Sequence, residues 1–274
     1  MFYNRFKNGA APILTQPLFS LAILYYFCPS IDANMASKGY RRFKNRLEYF
    51  RTDNEVAEII VQNKELLKGA DVIFNKVTAE KQPLLYNRTN NANSRRLVVN
   101  HLRKTIYVSF IKDMYEEVTE YIRYILQEGA INGVDPGRLV GEHNVNMKAN
   151  DILAMSTKRD IIHSIMEQIF QQLENERSTI TLISKIKNKL GLSIEQQLID
   201  EALPFLEIRH IFVHSDGKPN SVFSEKYPTF QLDEHHRILL NSTFAEKAYD
   251  AVNNLLVAID NDMISKNYIS ASEL

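Results

Sequence analysis

The stretch Glu207-Ile-Arg-His-Ile-Phe-Val-His-Ser-Asp-Gly217 gathers an arginine, two histidines and two carboxylates in a chain with seven histidines in all. Three chemistries suit these residue types. In the first, His210 and His214 lie four apart, share a helix face and, with Asp216, form a ligand set for a metal ion. Zinc sites of this spacing usually carry a general-base glutamate in the motif, where this chain has Ile211. His235 and His236 are adjacent, a spacing that seldom serves one ion well. In the second, Arg209 and the histidines decorate the last turn of a helix. Cations there interact with the C-terminal end of the helix dipole for about 0.3–1 kcal/mol each. Ser-Asp-Gly then supplies the turn, Gly217 being free to take positive φ. The third is phosphodiester cleavage. Breaking RNA without a metal needs a base for the ribose 2′-hydroxyl, an acid for the leaving oxygen and positive charge on the phosphorane. Histidine, with an ordinary pKa near 6.5, serves the first two needs. The planar fork of an arginine serves the third.

The elements that position these residues follow a helical period. Thr52 and Glu55 form a capping box that predicts a helix to about Phe74. Ser94 opens a long helix to about Glu128, with Val98, Leu102, Ile106, Phe110, Met114, Val118, Tyr121 and Ile125 three or four apart and Gly129 as its stop. Thr157 with Asp160 opens another. One more runs from about Ser178 to Leu190 and ends at Gly191. Ser193 and Gln196 make a further capping box, and Pro204 predicts a bend or a fresh start before the motif. Residues 218–240 read as a loop with one small strand pair, and a closing amphipathic helix starts near Ser242. The pattern predicts an all-α helical bundle with a long central helix and a short irregular insertion before the last helix. It forms one domain over residues 36–274.

Composition narrows the function. The chain is 45% apolar and 24% charged, as globular proteins are, and its thirty-three basic residues match thirty-three acidic ones. With no long-range basic field it is not a nucleic-acid coat protein, and DNA is not an expected partner; a local phosphate site remains open. Cys28 stands alone, which excludes an internal disulfide or a thiolate cluster and fits a reducing cytoplasm. No phosphate loop, dinucleotide fingerprint, nucleophile elbow or HExxH helix occurs, and Gly133-Val-Asp-Pro-Gly137 follows no strand. Residues 1–35 stand apart. Their apolar run Pro17–Cys28 is signal-like but too short to span a bilayer, and Met35 reads as an alternative start. The stretch "KGYRRFKNRLEYFR" interleaves basic and aromatic residues. Arg41, Arg42, Lys44 and Arg46 can contact phosphates beside stacked bases, or the stretch is a solvated amphipathic helix. Lys185, Lys187 and Lys189 spread around a helix surface as solubilising charge.

Arg209, a polar residue, three apolar residues and then His214 resemble the Arg-x4-6-His motif of HEPN (higher eukaryote and prokaryote nucleotide-binding) domains. There the residue after the arginine is characteristically polar, and here it is His210. A helix precedes the motif, an Asp-Gly turn follows it and a long helix closes the domain. The likeness is close around the motif and extends over residues 40–265 at the level of helix order. "RHIFVHSDGKPN" with its following loop resembles the defence-associated RiboL-PSP-HEPN-like group. The resemblance implies a cytoplasmic, cofactor-free and metal-independent endoribonuclease, a toxin or phage-defence effector, with Arg209 and His214 as the catalytic pair. On a regular helix these two sit about 140° apart, and the family's remedy is a homodimer whose motifs face across one cleft. His210 orients His214 or contacts RNA, with Glu207 and Asp216 as supporting neighbours. An antitoxin, notably of nucleotidyltransferase type, is the implied partner. Two other classes stay open: a non-catalytic HEPN-like module that binds RNA, a nucleotide or a protein, and a helical structural protein with a fortuitous motif.

Overall fold

The computed structural model describes residues 36–48, 80, 92–176 and 178–272. The signal-like run Pro17–Cys28 and the helix expected from Thr52 to about Phe74 lie outside them. The chain divides into two compact units, Met1–Asp32 with Val56–Arg103 and Ala33–Glu55 with Lys104–Leu274. The sequence pattern instead suggests one domain over 36–274. Apart from the first residues of the long central helix, everything below concerns the second unit.

The fold is all-α. Among the described residues the one strand pair is β1 (Ala36–Ser37) with β2 (Ala271–Ser272), antiparallel with Ala36 opposite Ser272. Helices follow in the order α1 (residues 38–48), α2 (Ala92–Ile131), α3 (Pro136–Val140), α4 (Ala149–Ala154), α5 (Lys158–Glu174), α6 (Thr179–Leu190), α7 (Gln196–His214), α8 (Ser221–Lys226) and α9 (Ser242–Ser265). Among the described residues no helix is long and apolar enough to cross a membrane.

The long central helix is α2, with 40 residues and a length near 60 Å. It buries Phe110, Met114, Val118, Tyr121 and Ile125 of the stripe its periodicity predicts, together with Tyr107, Ile111 and Leu126. Ile106 is half-buried, and the side chains of Val98 and Leu102 lie outside the described ones. It runs through Gly129 rather than stopping there. A Cβ at Gly129 would meet Leu190 at 3.0 Å and Val134 at 3.1 Å, so this glycine admits neighbours instead of ending a helix. The chain turns at Gly133, whose φ of +104° suits glycine. Asp135 then caps α3, accepting from the amides of Gly137 and Arg138. That occupies the amides a phosphate would need in "GVDPG".

Local signals elsewhere hold where nothing distant competes. Thr157 and Asp160 form both halves of a capping box at α5. Gly191 ends α6 at φ +62°, and Asn241 caps α9 through the Phe244 amide at 2.8 Å. The Ser193–Gln196 box does not form. The Ser193 amide donates to Asp262 of α9 at 2.9 Å, and the Gln196 side chain turns to Asp200 at 2.9 Å. Pro204 does not begin a new helix, for α7 is continuous from Gln196 to His214 with the proline inside it. Ala202, Leu203 and Leu206 are buried on either side of it, and that burial outweighs one missing backbone bond.

Lys189 also departs from the surface role expected of it. It is 6% exposed and donates to the carbonyl of Leu139 at 2.7 Å, a cation closing the C-terminal end of α3. Burial lowers its pKa. Lys185 instead bridges Glu142 and Glu176 at 2.8 and 2.6 Å. The insertion 218–240 contains α8, which the sequence did not announce, and one isolated bridge between Leu232 and Ile238. It docks through aromatic rings. Phe230 packs edge-on against Phe205 of α7 at 5.7 Å and stacks on Phe223 at the same spacing.

Between α2, α6, α7 and α9 lies an apolar cavity of about 20 Å³ lined by Val118, Ile122, Ile186, Leu206 and Leu256. It is too small for a ligand and too apolar to draw in water. A second interior feature is polar. Asp260 of α9, 2% exposed, accepts from the Ser37 amide at 2.8 Å, the Ser37 hydroxyl and the Tyr121 hydroxyl at 3.0 Å. Ser37 in turn caps α1 through the Tyr40 amide at 3.1 Å.

Burial, reinforced by the neighbouring Asp260, pushes the Tyr121 and Tyr40 hydroxyls well above the usual tyrosine range. Their contribution to stability is whole below about pH 10, the ordinary tyrosine value, and is lost as pH rises further. In an alkaline titration, part of the phenolate absorbance of the thirteen tyrosines is expected to emerge only with the loss of helical circular dichroism. Complete ionisation of a protein that keeps its helicity would contradict the buried network.

Candidate active site

The motif occupies the last two turns of α7, and its period sorts it into two faces. Ile208, Ile211 and Phe212 are buried, while His210, Val213 and His214 are exposed and Arg209 is half-buried. The helix ends where Ser215 donates to the Ile211 carbonyl at 2.9 Å and Gly217 to the same carbonyl at 3.2 Å. Asp216 takes φ +49° and Gly217 φ +81°. Gly217 is required, because a Cβ there would stand 2.7 Å from the Phe212 ring. Its carbonyl accepts from the Ile238 amide at 2.9 Å, which fastens the insertion's far end to the motif turn.

Arg209 spreads its guanidinium over the Tyr115 ring of α2, 4.8 Å from the centroid, a cation–π contact. Its Nε is buried and unpartnered, and among the described residues no carboxylate pairs with it. The stack on Tyr115 holds this guanidinium in place. His210 and His214 touch each other, ring centroids 4.5 Å apart at 48°. Among the described residues no hydrogen bond or ring contact joins Arg209 to His214, in keeping with their angular separation on one helix.

The flanking carboxylates are engaged elsewhere. Glu207 accepts from Lys226 at 2.9 Å and from the Tyr227 hydroxyl at 2.8 Å, so it anchors α8 rather than meeting either histidine. Asp216 pairs with Lys104 of α2 at 3.2 Å and with Arg237 at 2.9 Å. The hydrogen bond from Lys104 is the main cause holding its carboxyl below the usual range. With Asp216 so occupied, His210 and His214 lack the third ligand that a metal reading assigns them. Among the described residues no three His, Cys, Asp or Glu side chains group as a metal site.

The basic stretch of α1 lies apart from the motif. Tyr40 and Phe43 are buried, so they are core residues and not a surface on which bases can stack. Arg46 pairs with Glu117 at 3.6 Å. Burial raises the Glu117 carboxyl, and Arg46 and Arg42 oppose that rise. Glu117 is two residues from Tyr115, hence about 200° around α2 from the face that carries Arg209. Arg41 and Lys44 are half-buried on the same helix. The residues that do surround the motif, Lys104, Tyr115 and Arg237, carry no signal in the sequence, since they lie far from it along the chain.

No family model, no curated protein and no solved structure matches the chain.

Proposed function

We propose that the chain is a HEPN-like, metal-independent endoribonuclease, of the kind that acts as a toxin or phage-defence effector, with Arg209 and His214 as its catalytic pair. The observation that carries this reading is the half-buried Arg209 guanidinium, held on Tyr115 with no carboxylate partner among the described residues, beside two exposed imidazoles in contact. A neutral His214 takes the 2′-hydroxyl proton, and the freed oxygen attacks the adjacent phosphorus. The bond to the 5′-oxygen breaks, and a protonated imidazole supplies that oxygen with its proton. The products are a 2′,3′-cyclic phosphate and a 5′-hydroxyl. Arg209 neutralises the charge that builds on the phosphorane. The separation of Arg209 from His214 on one helix makes a homodimer with facing motifs part of the proposal, the arginine of one protomer serving the histidine of the other.

The test is incubation of the purified protein with RNA in excess EDTA, followed by end analysis. Cyclic-phosphate ends are expected, lost in Arg209→Ala and His214→Ala. Cleavage that requires a divalent metal, or that survives both substitutions, overturns the mechanism. A strictly monomeric active protein overturns the facing-motif arrangement. Binding without cleavage would make the same residues a recognition module.

A further inference from the structure

Two residues beyond His214, two cations from distant parts of the chain converge on one carboxylate. Lys104 reaches Asp216 from α2 at 3.2 Å and Arg237 reaches it from the insertion at 2.9 Å. The fold assembles this group from segments remote in the chain. Arg237 is presented by a fixed turn, in which its amide donates to the Asp233 side chain at 2.9 Å and its carbonyl accepts from the Asp233 amide at 2.7 Å. Asp233 also lies against Arg237, and its Oδ1 is taken up by the backbone amides of His235 and Arg237. Asp216 is itself mostly exposed, its side chain at 67%, and sits at φ +49°, a conformation that non-glycine residues adopt only sparingly.

Exposed ion pairs of this kind are weak. A phosphate oxygen, by contrast, matches the guanidinium fork and draws charge-assisted hydrogen bonds from both Lys and Arg. A carboxylate resting between them is therefore readily replaced by a phosphate. Resting on the ribonuclease reading above, we infer that Lys104 and Arg237 form a phosphate subsite beside His214. In the free protein Asp216 occupies it, and a backbone phosphate of single-stranded RNA next to the scissile bond displaces that carboxylate. Asp216 is then a competitor of substrate, not a supporting catalytic residue.

The subsite is tested with the full chain and a fluorescent single-stranded 2′-O-methyl RNA, which lacks the attacking hydroxyl and reports binding alone. Lys104→Met and Arg237→Met are each expected to weaken binding roughly threefold to tenfold at about 0.1 M salt. Each also lowers the slope of log K against log salt by about 0.7. Lys104→Arg retains binding. Asp216→Asn, which keeps a residue tolerant of positive φ, tightens binding about threefold, the scale of an exposed pair. Unfolding midpoints near that of the wild type exclude a general loss of structure. Unchanged affinity and slope in Lys104→Met and Arg237→Met overturn the subsite even if RNA is cleaved in EDTA. So does weaker binding by a folded Asp216→Asn, which would make the ion pairs a structural clasp. Charge-dependent binding with no cleavage of ordinary RNA would leave the subsite standing and remove the nuclease.

Discussion

Alanine at position 214 is expected to lower metal-independent RNA cleavage by about 10²–10⁴-fold, the range for loss of a positioned acid–base group. The unfolding midpoint should scarcely move. His214 is exposed and its ring contact is with His210, so its removal leaves no cavity and strands no buried donor. The loss is therefore chemical. His210→Ala is expected to act in the same direction but less strongly, because it removes one of two contacting imidazoles and leaves the proposed base. Arg209 differs from both. Arg209→Lys keeps the charge but loses the planar fork that grips two oxygens, and it weakens the stack on Tyr115. Its rate should fall close to that of Arg209→Ala, with the deficit in kcat more than in KM, since charge on the phosphorane is greatest in the transition state. Rates measured on a defined RNA in EDTA decide it. A His214→Ala protein as active as the wild type removes the proposed chemistry.

The largest effect on stability is expected at Asp260. Asp260→Ala deprives the Ser37 amide, the Ser37 hydroxyl and the Tyr121 hydroxyl of their acceptor, and all three are buried. A buried donor left unpaired costs about 1–3 kcal/mol, more where its partner was charged. Shared among donors that relax together, the total should reach roughly 3–5 kcal/mol. That lowers the unfolding midpoint by about 10 °C for a domain of this size. Asp260→Asn keeps one carbonyl acceptor and should cost distinctly less. The loss is also directional. Ser37 caps α1 and pairs β1 with β2, so the N-terminal segment should lose amide protection before the rest of the unit. A folded Asp260→Ala protein within about 1 kcal/mol of wild type would mean that water or a rearranged side chain meets these donors.

Much of the helical scaffold was legible in the sequence because its signals are local. The capping box of Thr157 and Asp160 closes over three residues and needs nothing from elsewhere, and it forms as read. The apolar stripe of α2 follows from helical geometry alone, as does the αL stop at Gly191. The motif, too, is a contiguous stretch, and its period already placed His210 and His214 on one face.

What the sequence could not reveal is set by residues distant in the chain. Gly129 reads as a stop, yet the approach of Leu190 and Val134 makes it a packing glycine. Ser193 reads as a cap, yet Asp262 claims its amide. Lys189 reads as surface charge, yet the end of α3 takes it inside. Asp260 looks like any acid on an amphipathic helix until Ser37 and Tyr121 close on it. The candidate site divides in the same way. The residue types and spacing of Arg209, His210 and His214 determined which chemistry to consider. Tertiary structure alone decided that Arg209 lies on Tyr115, that Glu207 holds the insertion and that Asp216 stands among cations. The physical reason is common to all of these. Caps and helical periods are settled by backbone geometry within a turn or two, whereas the partner of a charge or a polar group is whatever the packed helices bring within about 3–4 Å.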